Sequence, residues 1–235
     1  MKKAPFLGKR IVVFTAHPDD EGLSAGTMYE NYKAGGETFL ICATAGEKGK
    51  SHLTKPVSDA ALKIIRRKEL LKAAKILHIN KVIFLGFPDA DVRKHKAKLF
   101  KKALMTIQKI KPDYILSFGP EGVSGHWDHI TVGEVALKIA KKLKIPLAAF
   151  TLSDMMILMR RRRQKMFTSR RKFGKYAGIP EHRKGNVVVN IDATIKRKAM
   201  ANHKSQFPDG GPWAQLPKAI AARMYRHEHF VDEKI

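Results

Sequence analysis

The chain has 235 residues and carries 46 Lys+Arg against 21 Asp+Glu, a formal net charge of +25. Its 44% hydrophobic content is enough for the core of one α/β domain, yet no apolar run approaches the ~20 residues that span a bilayer. The single cysteine, Cys42, excludes an intrachain disulfide and reads, within FLICAT, as a small buried hydrophobe. The basic start MKKAPFLGKR is broken by Gly8-Lys9-Arg10 before an export signal can form, so a cytoplasmic location is expected.

RIVVFTA predicts the first strand, and the amphipathic stretch 22–34 predicts a helix that stops at Gly35-Gly36. ETFLICAT, KVIFLGF, YILSFG and LAAFTL continue the strand series, with helices expected near 57–77, 93–110 and 130–143. These strands are continuous apolar runs, as strands covered on both faces are. The strand-helix alternation therefore predicts an α/β fold with a mostly parallel sheet between helical layers. Beyond residue 150 the pattern loosens into a basic segment, a late strand in NVVVNID, and helices near 193–203 and 215–227. The expected organisation is a single domain: a core over 8–152, a basic loop or lid over 154–184, and a C-terminal extension of strand and helices over 186–230.

The positive charge has two readings, a solvated lysine surface or an anionic partner such as nucleic acid, a phospholipid surface or a polyanionic substrate. KAKLFKKALMTIQKIK fits the first, because Leu99, Leu104, Ile107 and Ile110 form one helical stripe and the lysines take the other faces. RRRRQKMFTSRRKFGK, residues 160–175, is denser and interleaves Phe167 and Phe173 with arginines. For that segment a binding role stands beside plain surface charge.

Negative charge is concentrated in AHPDDE, directly after the first strand. Pro18 disfavours a helical His17 and suits the first turn of a following helix, so Asp19, Asp20 and Glu21 are expected in that turn. Carboxylates there complement the helix dipole whatever else they do. A second cluster changes the balance. FGPEGVSGHWDHI, 118–130, follows another strand and delivers His126, Asp128 and His129 from a glycine-rich loop. Parallel α/β sheets bind ligands beyond the carboxyl ends of their strands, and imidazole with carboxylate is a zinc donor set. The two clusters together predict a metal site, without saying which aspartate ligates.

AHPDDE with GHWDHI resembles the PIG-L/LmbE-like family of zinc-dependent de-N-acetylases. ATAGEKG, RRKELLKAAKIL, FLGFPDADV and KRKAMANHKSQF resemble further family segments in the expected order, covering about 200 residues. The resemblance implies a Rossmann-like sheet and a Zn2+-dependent hydrolase that deacetylates an N-acetyl amino sugar or glycoconjugate. It implies His17, Asp20 and His129 as metal ligands, and Asp19 as general base. It implies His126 as oxyanion stabiliser and acid, with Asp128 orienting His126.

It also implies Arg66 and Asp89 as substrate-binding residues. Glu47, beyond the second strand near the expected pocket, and His203, the C-terminal candidate, are further expected substrate-binding residues, Glu47 in a supporting place. Without the resemblance, Arg66 and Glu69 would be an ordinary i, i+3 surface pair and Asp89 a turn residue. Some family members have proline at Trp127, whose indole either stacks on a sugar or packs. Some have tyrosine at Ser124, which leaves oxyanion assistance there open. His227 and His229, expected on a helical end, point in different directions and are not expected to bind metal. His52, His78, His95 and His182 read as surface residues. Rival readings are a metal-dependent nuclease or phosphoesterase, using paired ions, and a non-enzymatic binder of nucleic acid or anionic surfaces.

Overall fold

The computed structural model describes residues 4–158, 183–210, 220–221, 224–233 and 235. The basic cluster 160–175 and most of the expected helix at 215–227 lie outside the described residues.

Five parallel strands form the first part of the sheet: β1 (Arg10–Thr15), β2 (Glu37–Cys42), β3 (Lys81–Phe84), β4 (Tyr114–Phe118) and β5 (Leu147–Thr151). Two further strands, β6 (Val187–Asn190) and β7 (His227–Glu233), complete a seven-stranded sheet of order β3-β2-β1-β4-β5-β7-β6. Strand β7 runs antiparallel to both β5 and β6, so the C-terminal extension is part of the same sheet. This makes a single-domain, mostly parallel Rossmann-like α/β fold, as expected.

Helices among the described residues include α1 (Ala25–Lys33), α2 (Asp59–Ile76), α3 (Lys96–Ile110), the short α4 (Gly122–Gly125), α5 (Trp127–Leu143) and α6 (Ala193–Met200). Helix α6 packs against α1 and α2, and α3 packs against α5. In α3, Leu99, Ala103 and Ile107 recur every fourth residue and are buried, which leaves its lysines to water. Strands β4 and β5 are buried along their whole length, whereas β3, at an edge, is not. An aromatic chain ties the late strand into the core: Phe118 meets Phe150 edge-on at 5.4 Å, and Phe6 meets Phe230 at 5.2 Å. Among the described residues no helix is long and apolar enough to cross a membrane.

Strand order places the site. From β1 the chain winds outward through β2 to β3, then returns to lay β4 on the other side of β1. The carboxyl ends of β1 and β4 therefore flank the topological switch point, where such sheets open a crevice.

Three expectations are corrected. His227 begins a strand instead of ending a helix, and with period-2 alternation its ring lies on the same side as that of His229, 6.4 Å away. Helix α5 begins at Trp127, so Asp128 and His129 stand in its first turn and not in a glycine loop. Asp19 precedes a 3-10 turn over Asp20–Leu23, with α1 starting only at Ala25, and it adopts φ 98°, ψ −20°.

Candidate metal centre and active site

Backbone geometry fixes the first donor. Asp20 Oδ2 accepts the N–H groups of Ala16 and His17 at 3.2 and 2.7 Å, folding the chain back where β1 ends. At the end of β4, the turn through Gly122–Gly125 holds Val123 at φ 50°, ψ −51°, a rare conformation for a β-branched residue. The chain then enters α5 with His126 as N-cap: its Nδ1 accepts the Asp128 N–H at 3.1 Å. The proton of the neutral His126 ring therefore sits on Nε2.

Three donors converge across the crevice. His17 Nδ1 lies 3.1 Å from His129 Nε2 and 3.4 Å from Asp20 Oδ2, and His129 Nε2 lies 3.2 Å from Asp20 Oδ1. Four-coordinate zinc, with bonds of about 2.0–2.2 Å, separates its ligand atoms by roughly 3.3–3.6 Å. His129 Nδ1 faces the Gly122 carbonyl at 3.2 Å and Ser124 Oγ at 2.7 Å. Because a carbonyl only accepts, Nδ1 carries the proton and Nε2 presents a lone pair. His17 Nε2 faces Asp128 Oδ2 at 3.2 Å and Asp89 Oδ1 at 3.1 Å, so its proton belongs there and Nδ1 is the free lone pair. Two nitrogen lone pairs and a carboxylate aimed at one another repel unless a cation lies between them. His126 is near: its ring centroid is 4.9 Å from that of His17, and it offers a nitrogen within 4.8 Å of those of His17 and His129.

The electrostatics agree with a cation site. Burial alone would lower the His17 pKa, but contacts with Asp128, Asp20 and Asp89 override it and hold the ring well above its usual value. Burial would raise Asp20, yet His129 and His17 keep it well below the carboxylate range. Asp19 differs from its neighbour. Burial pushes it up to about 6, with Arg66 opposing and Asp20 adding to the rise. His126 is pushed down to about 4 by burial and by His17 and His129.

Several expected residues take other places. Asp128 was expected to orient His126, but its carboxylate holds His17 Nε2 and accepts the N–H groups of Ala90 (2.8 Å) and Val92 (3.2 Å). Asp89, expected to meet sugar hydroxyls, pairs with His17 and accepts the Lys48 N–H at 2.7 Å. Glu47 supports it, with Oε1 accepting the Asp89 N–H at 3.1 Å. Carboxylates behind a ligating imidazole fix its tautomer and raise its basicity.

Arg66, expected to contact substrate, is only 3% exposed. It pairs with Asp19 Oδ2 at 3.1 Å and donates to the carbonyls of Gly46 (2.7 Å) and Pro18. Its glycine neighbours explain the ATAGEKG stretch. A Cβ on Gly46, at φ 70°, would lie 2.2 Å from Arg66 Nη1, and one on Gly49 would lie 2.5 Å away. Glu69, one turn on, accepts the Ser205 N–H and Oγ–H at 2.8 and 2.7 Å and makes no surface pair with Arg66. His203, the expected C-terminal substrate contact, is fully buried and pairs with Glu21. Trp127 carries the Arg93 guanidinium 4.1 Å over its ring, and Ser124 serves His129. Glu21, read only as part of an acidic cluster, accepts the Asp19 N–H at 2.8 Å, a role the sequence did not signal.

Comparisons with known proteins point the same way. Over 98% of this chain and 93% of the relative, it is 26% identical to the 1D-myo-inositol 2-acetamido-2-deoxy-α-D-glucopyranoside deacetylase of Streptomyces avermitilis. Matches to some other curated relatives are shorter, and the chain spans about half the length of those proteins. Among solved structures, N,N'-diacetylchitobiose deacetylase from Pyrococcus horikoshii superimposes with a TM-score of 0.68 at 22% identity, over 97% of this chain and 85% of that one. The 4-carboxy-2-hydroxymuconate hydratase GalB from Pseudomonas putida gives 0.66 at 18% identity, over 96% and 97%. The fold thus serves more than one reaction, and the site has to choose between them. Residues 12–140, which carry every donor of the triangle, match the family described as PIG-L, GlcNAc-PI de-N-acetylase, and the chain belongs to that family.

Proposed function

We propose that this protein is a zinc-dependent hydrolase that removes the acetyl group from a 2-acetamido-2-deoxyglucosyl substrate. The observation that carries the reading is the triangle of His17 Nδ1, Asp20 and His129 Nε2, with Asp19 next to Asp20 in the chain and its carboxylate paired with Arg66. His17, Asp20 and His129 would hold the zinc, and His17 would be kept in register by Asp128 and Asp89. Held there, zinc would supply Lewis-acid chemistry, lowering the pKa of water from 15.7 to about 7.

The chain's own groups supply the rest. Asp19, with a pKa near 6, is ionised at neutral pH and accepts a proton as water adds to the amide carbonyl. His126 is neutral there, and its Nε2–H donates a hydrogen bond to the oxygen on which charge develops. When the C–N bond breaks, the nitrogen needs a proton. Asp19, holding the one just taken, is the better donor at neutral pH, whereas the family resemblance assigns that step to His126. The products are acetate and a free amine.

Both the Streptomyces relative and the chitobiose deacetylase are named for substrates that contain the 2-acetamido-2-deoxyglucosyl group, which is why the proposal stops at that group. The test is acetate release from a panel of N-acetylglucosaminides by zinc-loaded protein, alongside phosphodiester and nucleic-acid substrates. Release from at least one sugar supports the reading. Cleavage of phosphodiesters alone would replace it with the nuclease reading.

A further inference from the structure

Asp19 stands in the left-handed region, a conformation that costs a non-glycine residue roughly 1–3 kcal/mol and persists only where surrounding groups impose it. Two clamps do so. From α2, Arg66 pairs with the Asp19 carboxylate and donates to the Pro18 carbonyl. From the other side, Glu21 Oε2 accepts the Asp19 N–H at 2.8 Å, while Glu21 Oε1 accepts from His203 Nε2. Glu21 and His203 are both fully buried. The two clamps share an anchor: Ser205, two residues after His203, bonds Glu69, three residues after Arg66. The same short segment is pinned to the loop after β2, where the His52 N–H donates to the Ser205 carbonyl at 2.9 Å. Residues 203–205 lie beyond the family match at 12–140.

We propose that His203 is a positioning residue for the proton acceptor. Through Glu21 it holds the Asp19 backbone in its left-handed turn, one residue before the Asp20 donor, and so fixes where the carboxylate starts from. The C-terminal segment is on this account a working part of the site. The proposal rests on the deacetylase reading for its kinetic consequence, but not for its structural one.

The test uses zinc-loaded full-length protein. His203→Phe keeps a ring and removes the donor, His203→Gln keeps a donor, and Glu21→Gln breaks the relay from the other end without loss of volume. His203→Phe and Glu21→Gln should lower kcat about 10–100-fold, the range typical of groups supporting a site from behind, with KM within twofold and one zinc retained. His203→Gln should recover most of kcat. In an Asp19→Asn background His203→Phe should cost nothing further, because residues acting as a unit are non-additive. Amide hydrogen exchange in the metal-free protein supplies a readout that needs no activity. Protection of the Asp19 amide should fall at least tenfold in His203→Phe, or in Glu21→Gln should that variant alone fold, while the β4 amides are unchanged. Unchanged Asp19 protection, or a kinetic loss that multiplies with that of Asp19→Asn, overturns the proposal. A parent enzyme that releases no acetate, or an Asp19→Asn variant at full turnover, overturns the deacetylase reading and leaves the exchange result to decide the positioning role.

Discussion

Between Arg10 and Leu143, buried polar side chains at the strand ends aim their lone pairs at one another. Between Ile191 and Glu233, Glu228 and Lys196 meet partners of the opposite kind. His17, Asp20 and His129 converge within 3.1–3.4 Å. Glu228, by contrast, accepts the N–H groups of Gly26 (3.0 Å) and Thr27 (2.7 Å) at the start of α1 and the ammonium of Lys196 at 2.7 Å. Two imidazole nitrogens and a carboxylate converging on one point are a donor set that a single cation satisfies at once, which gives their convergence a use. The satisfied groups stabilise and position. The first region is where chemistry is expected, and the second is where its supports are expected.

Removing a donor should break the comparison most severely. His17→Ala and His129→Ala should each lose the metal and, with it, several kcal/mol of transition-state stabilisation, or ~10³-fold and more in kcat. Metal content measured beside turnover checks this, and full zinc retention in both variants would remove them as ligands. Asp19→Asn should keep the zinc and lose ~10²–10⁴-fold in kcat, since an amide cannot accept the proton. Turnover near the parent value at matched zinc occupancy would take the base role from Asp19.

The supporting region should respond in a different currency. Lys196→Met strips Glu228 of its cation while the two backbone donors remain, and should cost about 3 kcal/mol of stability, at the low end for a broken buried pair. Its kcat and zinc content should match the parent. Denaturant unfolding and kinetics on the same sample separate the two, and a loss of zinc without a loss of stability would contradict the division.

The smallest effect is one of pH. His17 is raised well above 6.5 in the metal-free fold, so its pairing contributes stability below that unfolded value and loses it as pH rises through the folded one. Zinc competes with the same proton. Zinc affinity should therefore weaken about tenfold for each unit that pH falls below the folded value, and the zinc-induced rise in Tm should grow as pH increases. A Tm gain independent of pH would mean that His17 does not exchange a proton for the metal.

The sequence was legible where local pattern and tertiary role coincide. β1, β4 and β5 read as continuous apolar runs because they are buried between helical layers, and the two histidine-carboxylate clusters read as a site because each follows a strand. It was opaque where long-range partners decide. The φ of 98° at Asp19 goes with partners far away in the chain, Arg66 on its carboxylate and His203 behind Glu21. In an arginine- and lysine-rich helix no spacing says that Arg66 goes inside, although Gly46 and Gly49 mark the space it needs. HEHFVDE conceals a strand because its inward positions alternate Glu228 with Phe230, and the carboxylate is matched by Lys196 and α1 from far away in the chain. Helix α5 started earlier than expected because its N-cap is a histidine and not one of the usual Ser, Thr, Asp or Asn.

The central claim is that three converging donors hold one zinc on which deacetylation depends. Metal-free protein titrated with zinc, while acetate release from an N-acetylglucosaminide is recorded, tests it most directly. Activity should rise from background in proportion to added zinc and reach a plateau at one equivalent per chain. Full activity before any zinc is added, or a plateau only at two equivalents, would contradict it.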